Sequence, residues 1–447
     1  MKINKFPTIH PLIFSCCPII FLYIHNLRNA YIEIPYVIFY CFVSVVFAEF
    51  IYLVAKLTVK DELKAGVITS SFLIFIFFFP YGYFFNQPII KITSLFAYLS
   101  SVTFFSLIYI VIFKTKKNLM LLTRFLNTAS VFLILIIILN GILFSSEKEV
   151  HFKSQKVGIR QFERSPYPDI YYIILDAYAR QDILQSVYGY DNSEFITYLR
   201  QNGFFVADKS RANYNLTLAS LSSSLNFQYL DEIADRMGAD SSDKRPLIEM
   251  IKRSKIRKYL TSIGYNFISF SSGIYDTEIR DSDFYINPLN FLNKNKEFES
   301  ILFKSNLVGY ILNRYIATLE YDIHRRRIIA TLNQIPFVTN HQSPAFVFAH
   351  IVAPHPPFVF SDTIMLSDYI FADGSALHHN SKKLKRLYAK AYCDQISALN
   401  KRLIECINNI INNTQGKSII IIQSDHGPRL LTNWADPFLT DLNESTG

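Results

Sequence analysis

Five long apolar runs crowded into the first third of the chain limit its fold more than any other feature of the sequence. They extend approximately from Ile9 to His25, Ile34 to Ala55, Ala65 to Phe85, Ile92 to Phe113 and Asn118 to Phe144. A helix needs roughly 20 apolar residues to cross a hydrocarbon core, and each run is of that order. Any one of them alone could be a buried core helix. Five in succession, joined by short polar links, predict a transmembrane domain over residues 1–146. The first run is interrupted by Pro11 and Pro18, and Lys2 and Lys5 precede it as in a signal peptide. No small-residue cleavage site follows, so it reads as an uncleaved anchor. These runs hold most of the apolar excess that brings the whole chain to 50% hydrophobic residues.

Short loops rich in Lys and Arg stay on the cytoplasmic side. Lys2 and Lys5, then Lys56, Lys60 and Lys64, then Lys114, Lys116, Lys117 and Arg124 fall on one side, against Arg28 and Lys91 on the other. An amino terminus inside and an odd number of spans put everything after the fifth span outside. The net charge of +9 is thus largely a topological signal. No basic arm or nucleic-acid module is visible, which argues against nucleic acid as a partner. Of five cysteines, Cys16, Cys17 and Cys41 lie in apolar runs. Cys393 and Cys406 lie too far apart on one expected helix to bond, so no disulfide framework is predicted.

Residues 147–166 are polar and aperiodic and read as a linker. From 167 to 447 the pattern becomes that of an α/β domain. Short apolar strands are expected at Asp169–Leu175, Tyr265–Phe270, Ala345–Ala349 and Ser418–Gln423. Helices are expected near Ser193–Asn202, Thr217–Leu225, Pro246–Ile263 and Lys382–Asn412. Apolar strands alternating with helices predict a mostly parallel sheet between helices. In such sheets functional side chains gather just past the carboxyl ends of the strands.

Three strand ends carry chemistry. The first strand ends in Asp176; by itself an acid there is an ordinary cap or turn residue. The last strand runs into Asp425-His426-Gly427. A carboxylate beside an imidazole suits Zn²⁺ or Mn²⁺, and Gly427 permits a sharp turn, although a capped turn with a surface His would read the same. The third strand ends at His350 and continues to Pro354-His355-Pro356-Pro357-Phe358, where prolines stiffen the backbone around His355. The plainer reading is a rigid loop with incidental histidines, or a packed His350.

These motifs, in this order and after five spans, resemble the sulfatase-like members of the alkaline-phosphatase superfamily that include lipid A phosphoethanolamine transferases and lipoteichoic acid synthases. The resemblance implies an alkaline-phosphatase-like fold and a divalent metal, Zn²⁺ ahead of Mn²⁺, held by Asp176, Asp425 and His426. It implies a hydroxyl nucleophile between the first and third motifs, also at the metal. Within Asn213-Tyr214-Asn215-Leu216-Thr217-Leu218-Ala219-Ser220, Thr217 matches best and Ser220 second. The alternative makes Thr217 an N-cap and the serines packing residues; Asn215-Leu216-Thr217 also fits a glycosylation acceptor. His355 and His350 correspond to substrate-side histidines. No Cys/Ser-x-Pro/Ala-x-Arg element of the kind that true sulfatases oxidise is present.

The implied activity is transfer of a phospho-headgroup, phosphoethanolamine- or phosphoglycerol-like, from a phospholipid donor to an envelope lipid or glycan through a phospho-threonine. The alternatives are a sulfatase-like hydrolase of phosphate or sulfate esters and a catalytically degenerate, membrane-anchored binding protein. The expected location is the inner (cytoplasmic) membrane, with the catalytic domain on the periplasmic or extracellular face. Family members continue well beyond the Asp-His pair to a further His. Here Gly447 comes about twenty residues after Gly427, which predicts a C-terminally truncated catalytic domain.

Overall fold

The computed structural model describes residues 7–25, 34–78, 91–145, 167–238, 241, 243–289, 302, 307–338, 344–360 and 382–431. The chain divides into two compact units, residues 1–155 with 295–316, and residues 156–294 with 317–447. The expected linker over 147–166 lies outside the described residues.

Five helices of the first unit follow the five apolar runs. They are α1 (His10–His25), α2 (Ile34–Val59), α3 (Glu62–Phe78), α4 (Lys91–Lys114) and α5 (Met120–Ser145). As membrane spans they correct the expected count. Among the described residues, two helical stretches are long and apolar enough to cross a membrane, Ile34–Val59 and Met120–Gly141. The 16 residues of α1 reach only about 24 Å at ~1.5 Å per residue, short of a core of ~30 Å. The third run continues beyond α3 into residues 79–85, outside the described residues. In α4, Thr93, Ser94, Ser100 and Ser101 dilute the first half, leaving Val102–Lys114 as the apolar stretch.

Buried polar contacts fix α1 against its neighbours. The Oδ1 of Asn127 accepts the N–H groups of Ile9 and His10 at 3.1 and 2.9 Å, and His10 Nδ1 lies 2.5 Å from Ser70 Oγ. Phe39, Phe42, Phe50, Leu57, Leu121, Phe125 and Phe132 face outward. Such an apolar exterior is unfavourable in water and suits hydrocarbon.

The second unit is built on a five-stranded sheet in the order β3-β2-β4-β1-β5. Its strands are β1 (Ile170–Leu175), β2 (Asn266–Phe270), β3 (Phe284–Ile286), β4 (Ala345–Ile351) and β5 (Ile419–Ser424). All four pairings are parallel, as the alternation of strands and helices predicts. The helices are α6 (Gln181–Tyr188), α7 (Ser193–Gln201), α8 (Thr217–Ser224), α9 (Asp231–Met237), α10 (Arg245–Lys252), α11 (Lys255–Ser262), α12 (Leu307–Gln334), of which residues 317–334 belong to this unit, and α13 (Lys382–Thr414). The single helix expected over Pro246–Ile263 is two. Ser254 interrupts it, taking the N-cap of α11 and accepting from Arg257 N at 3.4 Å, as a short hydroxyl side chain favours.

The two-residue period of β1 sorts its side chains to opposite faces. Tyr171, Ile173 and Leu175 pack with Phe195 and Leu199 of α7, Ile328 and Leu332 of α12, and Leu399, Leu403 and Ile407 of α13. Tyr172 and Ile174 pack with Leu221 of α8, Ile251 of α10 and Leu260 of α11, together with Phe267, Phe346 and Phe348 of the sheet. Each large apolar side chain so buried contributes about 1.5–3 kcal/mol.

Candidate active site

The register of the sheet brings the motifs together. Leu175 at the end of β1 is paired with Ile351 of β4 on one side and Ser424 of β5 on the other. One step further along parallel strands, Asp176 comes level with Asp425. Side chains alternate, so Asp176 continues the face of Tyr172 and Ile174, and His350 continues that of Phe346 and Phe348. That face is covered by α8, which opens with Thr217.

The side chains meet there. His426 Nε2 lies 3.6 Å from Asp176 Oδ1, 3.6 Å from Asp425 Oδ2 and 3.2 Å from Thr217 Oγ1. His426 Nδ1 donates to Gly427 O at 2.7 Å, which leaves Nε2 with a lone pair that faces Thr217 Oγ1 and can ligate an ion. The N-cap of α8 is Leu216, so the Thr217 hydroxyl is not consumed in capping. Ser220 differs, its Oγ donating to Asp425 O at 2.5 Å.

His350 Nε2 stands 3.6 Å from Asp176 Oδ2, while its Nδ1 lies 2.9 Å from Thr277 Oγ1. It is 2% exposed. His355 is half-buried beside the centre. Its amide donates to Asp176 O at 2.9 Å, its Nδ1 donates to Pro356 O at 2.6 Å, and its ring centroid is 6.4 Å from that of His426.

The turn after β1 is held by residues that sequence reading missed. Ala177 takes a left-handed φ of 63°, a conformation costly for a residue with a Cβ. Its N–H donates to Asp425 Oδ1 at 3.1 Å, and its carbonyl accepts from Tyr392 OH at 2.7 Å. Tyr392 OH also accepts from Ala179 N at 3.0 Å, and Ser424 Oγ accepts from Tyr178 N at 2.9 Å. Strain directly after the acid is thus imposed by the surrounding hydrogen bonds. Only the left-handed Ala177 is unusual, and nothing in its identity announces it.

Burial would raise the pKa of Asp176, but His355, His350 and His426 outweigh it and hold the carboxyl well below its usual range. Burial lowers that of His350, and the Asp176 carboxylate more than reverses it, leaving the imidazole raised.

Asp176, Asp425 and His426 each offer a ligand atom, all within 4.8 Å of one another, and their side chains are at most 2% exposed. Asp176 Oδ1 and Asp425 Oδ2 are buried without a hydrogen-bond partner. Buried carboxylate oxygens left unsatisfied are costly. Two carboxylates, an imidazole nitrogen and a hydroxyl form a donor set that suits Zn²⁺ or Mn²⁺. The residues therefore fit a divalent ion. Alongside, a cleft of about 1330 Å³ is lined by His426, Ser220, Ser424, Tyr178, Phe204 and Val206 among others.

No protein-family model matches the chain, and no curated protein matches it. Among solved structures, the chain is similar to the integral membrane protein lipooligosaccharide phosphoethanolamine transferase A from Neisseria meningitidis. The identity is 10%, the match covers 97% of this chain and 86% of that one, and the TM-score is 0.39.

Proposed function

We propose that this chain is a membrane-bound, metal-dependent phosphotransferase that moves a phospho-headgroup from a phospholipid to an envelope lipid or glycan through a phosphorylated Thr217. The observation that carries the reading is the convergence of Asp176 Oδ1, Asp425 Oδ2 and His426 Nε2 beside Thr217 Oγ1. Those four residues would hold the ion, with Zn²⁺ ahead of Mn²⁺; when bound it lowers the pKa of the Thr217 hydroxyl and offsets phosphoryl charge. The low pKa of Asp176 keeps that carboxylate ionised and ready to ligate. Thr217 opens α8, and the first-turn amides of a helix favour negative charge at that end.

In the first half-reaction Thr217 Oγ1 forms the bond to phosphorus, and the bond from phosphorus to the departing diacylglycerol oxygen breaks. The proton released by Thr217 ends on that oxygen. His355 is suited to carry it, because its Nδ1–H is given to Pro356 O and its Nε2 remains. In the second half an acceptor hydroxyl attacks the same phosphorus, the bond to Oγ1 breaks, and Thr217 regains a proton. The headgroup class is phosphoethanolamine- or phosphoglycerol-like. The two candidate spans anchor the enzyme in the membrane; placing the catalytic unit on the outer face of the cytoplasmic membrane requires an odd number of crossings with the Lys-rich loops inside, and is part of the proposal.

The test is incubation of full-length protein with headgroup-labelled phospholipid and envelope acceptors. A transferase yields labelled envelope material and a trapped adduct at Thr217 by peptide mass; a hydrolase yields free headgroup phosphate. Thr217→Ala abolishes both adduct and product, and retained turnover removes Thr217 from this role.

A further inference from the structure

Outside the Asp176 centre, one buried charged group has no evident use. Arg327 on α12 is 3% exposed, and both its Nε and its Nη2 lack a hydrogen-bond partner. A buried guanidinium left unpaired is strongly disfavoured, and burial lowers the pKa of Arg327 accordingly. Glu278 attracts the guanidinium through its charge, but both its oxygens are already hydrogen-bonded elsewhere. Glu278 accepts from Ser271 Oγ at 2.6 Å and Gly273 N at 2.9 Å through one oxygen, and from Tyr285 OH and Arg280 Nε through the other.

The surroundings place the arginine near the chemistry. Gly273, with φ of 81°, lies so close that a Cβ built there would fall 1.9 Å from Arg327 Nη1. The loop after β2 therefore rests directly on one side of the guanidinium, and the Nε–Nη2 edge is the part left over. The same loop carries Thr277, which bonds His350. One turn earlier on α12, His324 Nε2 donates to Val352 O at 3.0 Å, two residues beyond His350. Both segments flanking Arg327 thus bond to the chain at or just past the end of β4, while α12 itself packs through Ile328 and Leu332 on the sheet face opposite Asp176.

Two N–H groups on one guanidinium edge are spaced to grip two oxygens of a single phosphate or carboxylate. We infer that Arg327 forms an anion subsite, separate from the metal ligands, that takes a second phosphate group of the substrate. Binding of a phosphate there stands on the geometry of Arg327; only its assignment to a substrate rests on the proposed function. Turnover by Thr217→Ala tests that function, whereas the following titration tests the subsite.

Full-length protein in detergent is freed of divalent ions with a chelator, so the Asp176 centre takes no part, and inorganic phosphate is titrated by calorimetry. Wild type and Asp425→Asn bind it; Arg327→Met does not. Arg327→Lys, which keeps the charge and loses the fork, binds about tenfold more weakly, the worth of one charge-assisted hydrogen bond. Absence of binding to chelated wild type overturns the inference, as does wild-type affinity in Arg327→Met. If Arg327→Met fails to fold, unchanged affinity in Arg327→Lys overturns it alone. Short-chain phosphatidic acid, titrated in parallel, identifies the source. Tighter binding that depends on Arg327 marks a lipid-borne phosphate, and affinity equal to that of inorganic phosphate marks a free anion.

Discussion

Replacing Asp425 with Asn should raise stability without metal and lose most or all of that advantage, or reverse it, with metal, a metal dependence that few other causes produce. Asp176 and Asp425 are 1% and 0% exposed, and the ligand atoms they offer lie within 4.8 Å. Two unit charges at that separation repel by about 3.5 kcal/mol at an effective dielectric of ~20. Asn removes this repulsion and places an N–H where Asp425 Oδ2 faced the partnerless Asp176 Oδ1. Against the gain, Asp425 Oδ1 accepts from Ala177 N at 3.1 Å and His426 N at 2.8 Å, and a neutral amide accepts less strongly. The expected net effect in chelator is stabilisation by about 1–3 kcal/mol. With zinc at ~1,000 times its dissociation constant, wild type gains about 4.1 kcal/mol. If losing one anionic ligand weakens zinc about 100-fold, the variant gains only about 1.4 kcal/mol by the same relation. Hydrogen exchange of peptides spanning β1 and β5, in chelator and in zinc, reads both numbers from the catalytic unit alone. A variant that exchanges faster than wild type in both conditions, or that gains as much from zinc, refutes the argument.

Further outcomes follow from the same contacts. Thr277→Val, which deprives His350 Nδ1 of its partner, should weaken zinc binding about 10-fold by letting the imidazole beside Asp176 turn; a zinc-competition titration checks this, with Thr277→Ser restoring affinity. Ala177→Gly should relieve the left-handed backbone and stabilise the protein by up to about 1 kcal/mol, measurable as slower exchange in β1. Gly273→Ala should cost more than about 1 kcal/mol because of its φ of 81° and the clash with Arg327, seen as faster exchange in β2. Burial lowers the pKa of Lys252 to about 8, against Glu249 and Asp276, which raise it. Between pH 8 and 10.5 the unfolded chain therefore holds a proton that the folded one has released, so stability rises with pH across that window. The Tyr275 ring, 3.7 Å from Lys252 Nζ, favours the charged form, so a rise of about 1–3 kcal/mol is expected, absent in Lys252→Met.

Much of the catalytic unit was legible because its signals are local. A short unbroken run rich in β-branched and aromatic residues such as Tyr171–Leu175 favours a strand buried on both faces, and α8 was bounded by a small-residue stretch after Leu216. Four elements were missed, α6, α9, β3 and α12, the last three for identifiable reasons. The polar helix α9 buries no residue and leaves no apolar stripe. Strand β3, with three residues, is too short for alternation to register. In α12, His324, Arg327, Ile328, Thr331 and Leu332 mix polar and apolar side chains on buried positions, which blurs the helical period. The overcounted spans have a related cause, since an apolar run such as Ile9–His25 gives a helix too short to cross a hydrocarbon core on its own.

The candidate site was legible in the residues that converge at the strand ends and opaque in their supports, and the asymmetry has a physical origin. Asp176, His350, Asp425 and His426 each sit at or just past a strand end, so chain position alone puts them in one layer once the strands are parallel. The register supplies the rest, pairing Leu175 with both Ile351 and Ser424. Tyr392 and Thr277 reach that layer from a helix and a loop through side-chain contacts spanning 215 and 73 positions of sequence. No local pattern encodes such contacts, because any buried hydroxyl within reach would have served. The reactive groups are fixed by the sheet and the supports by packing, so substitutions at Tyr392 or Thr277 should alter metal affinity while leaving the strand order unchanged.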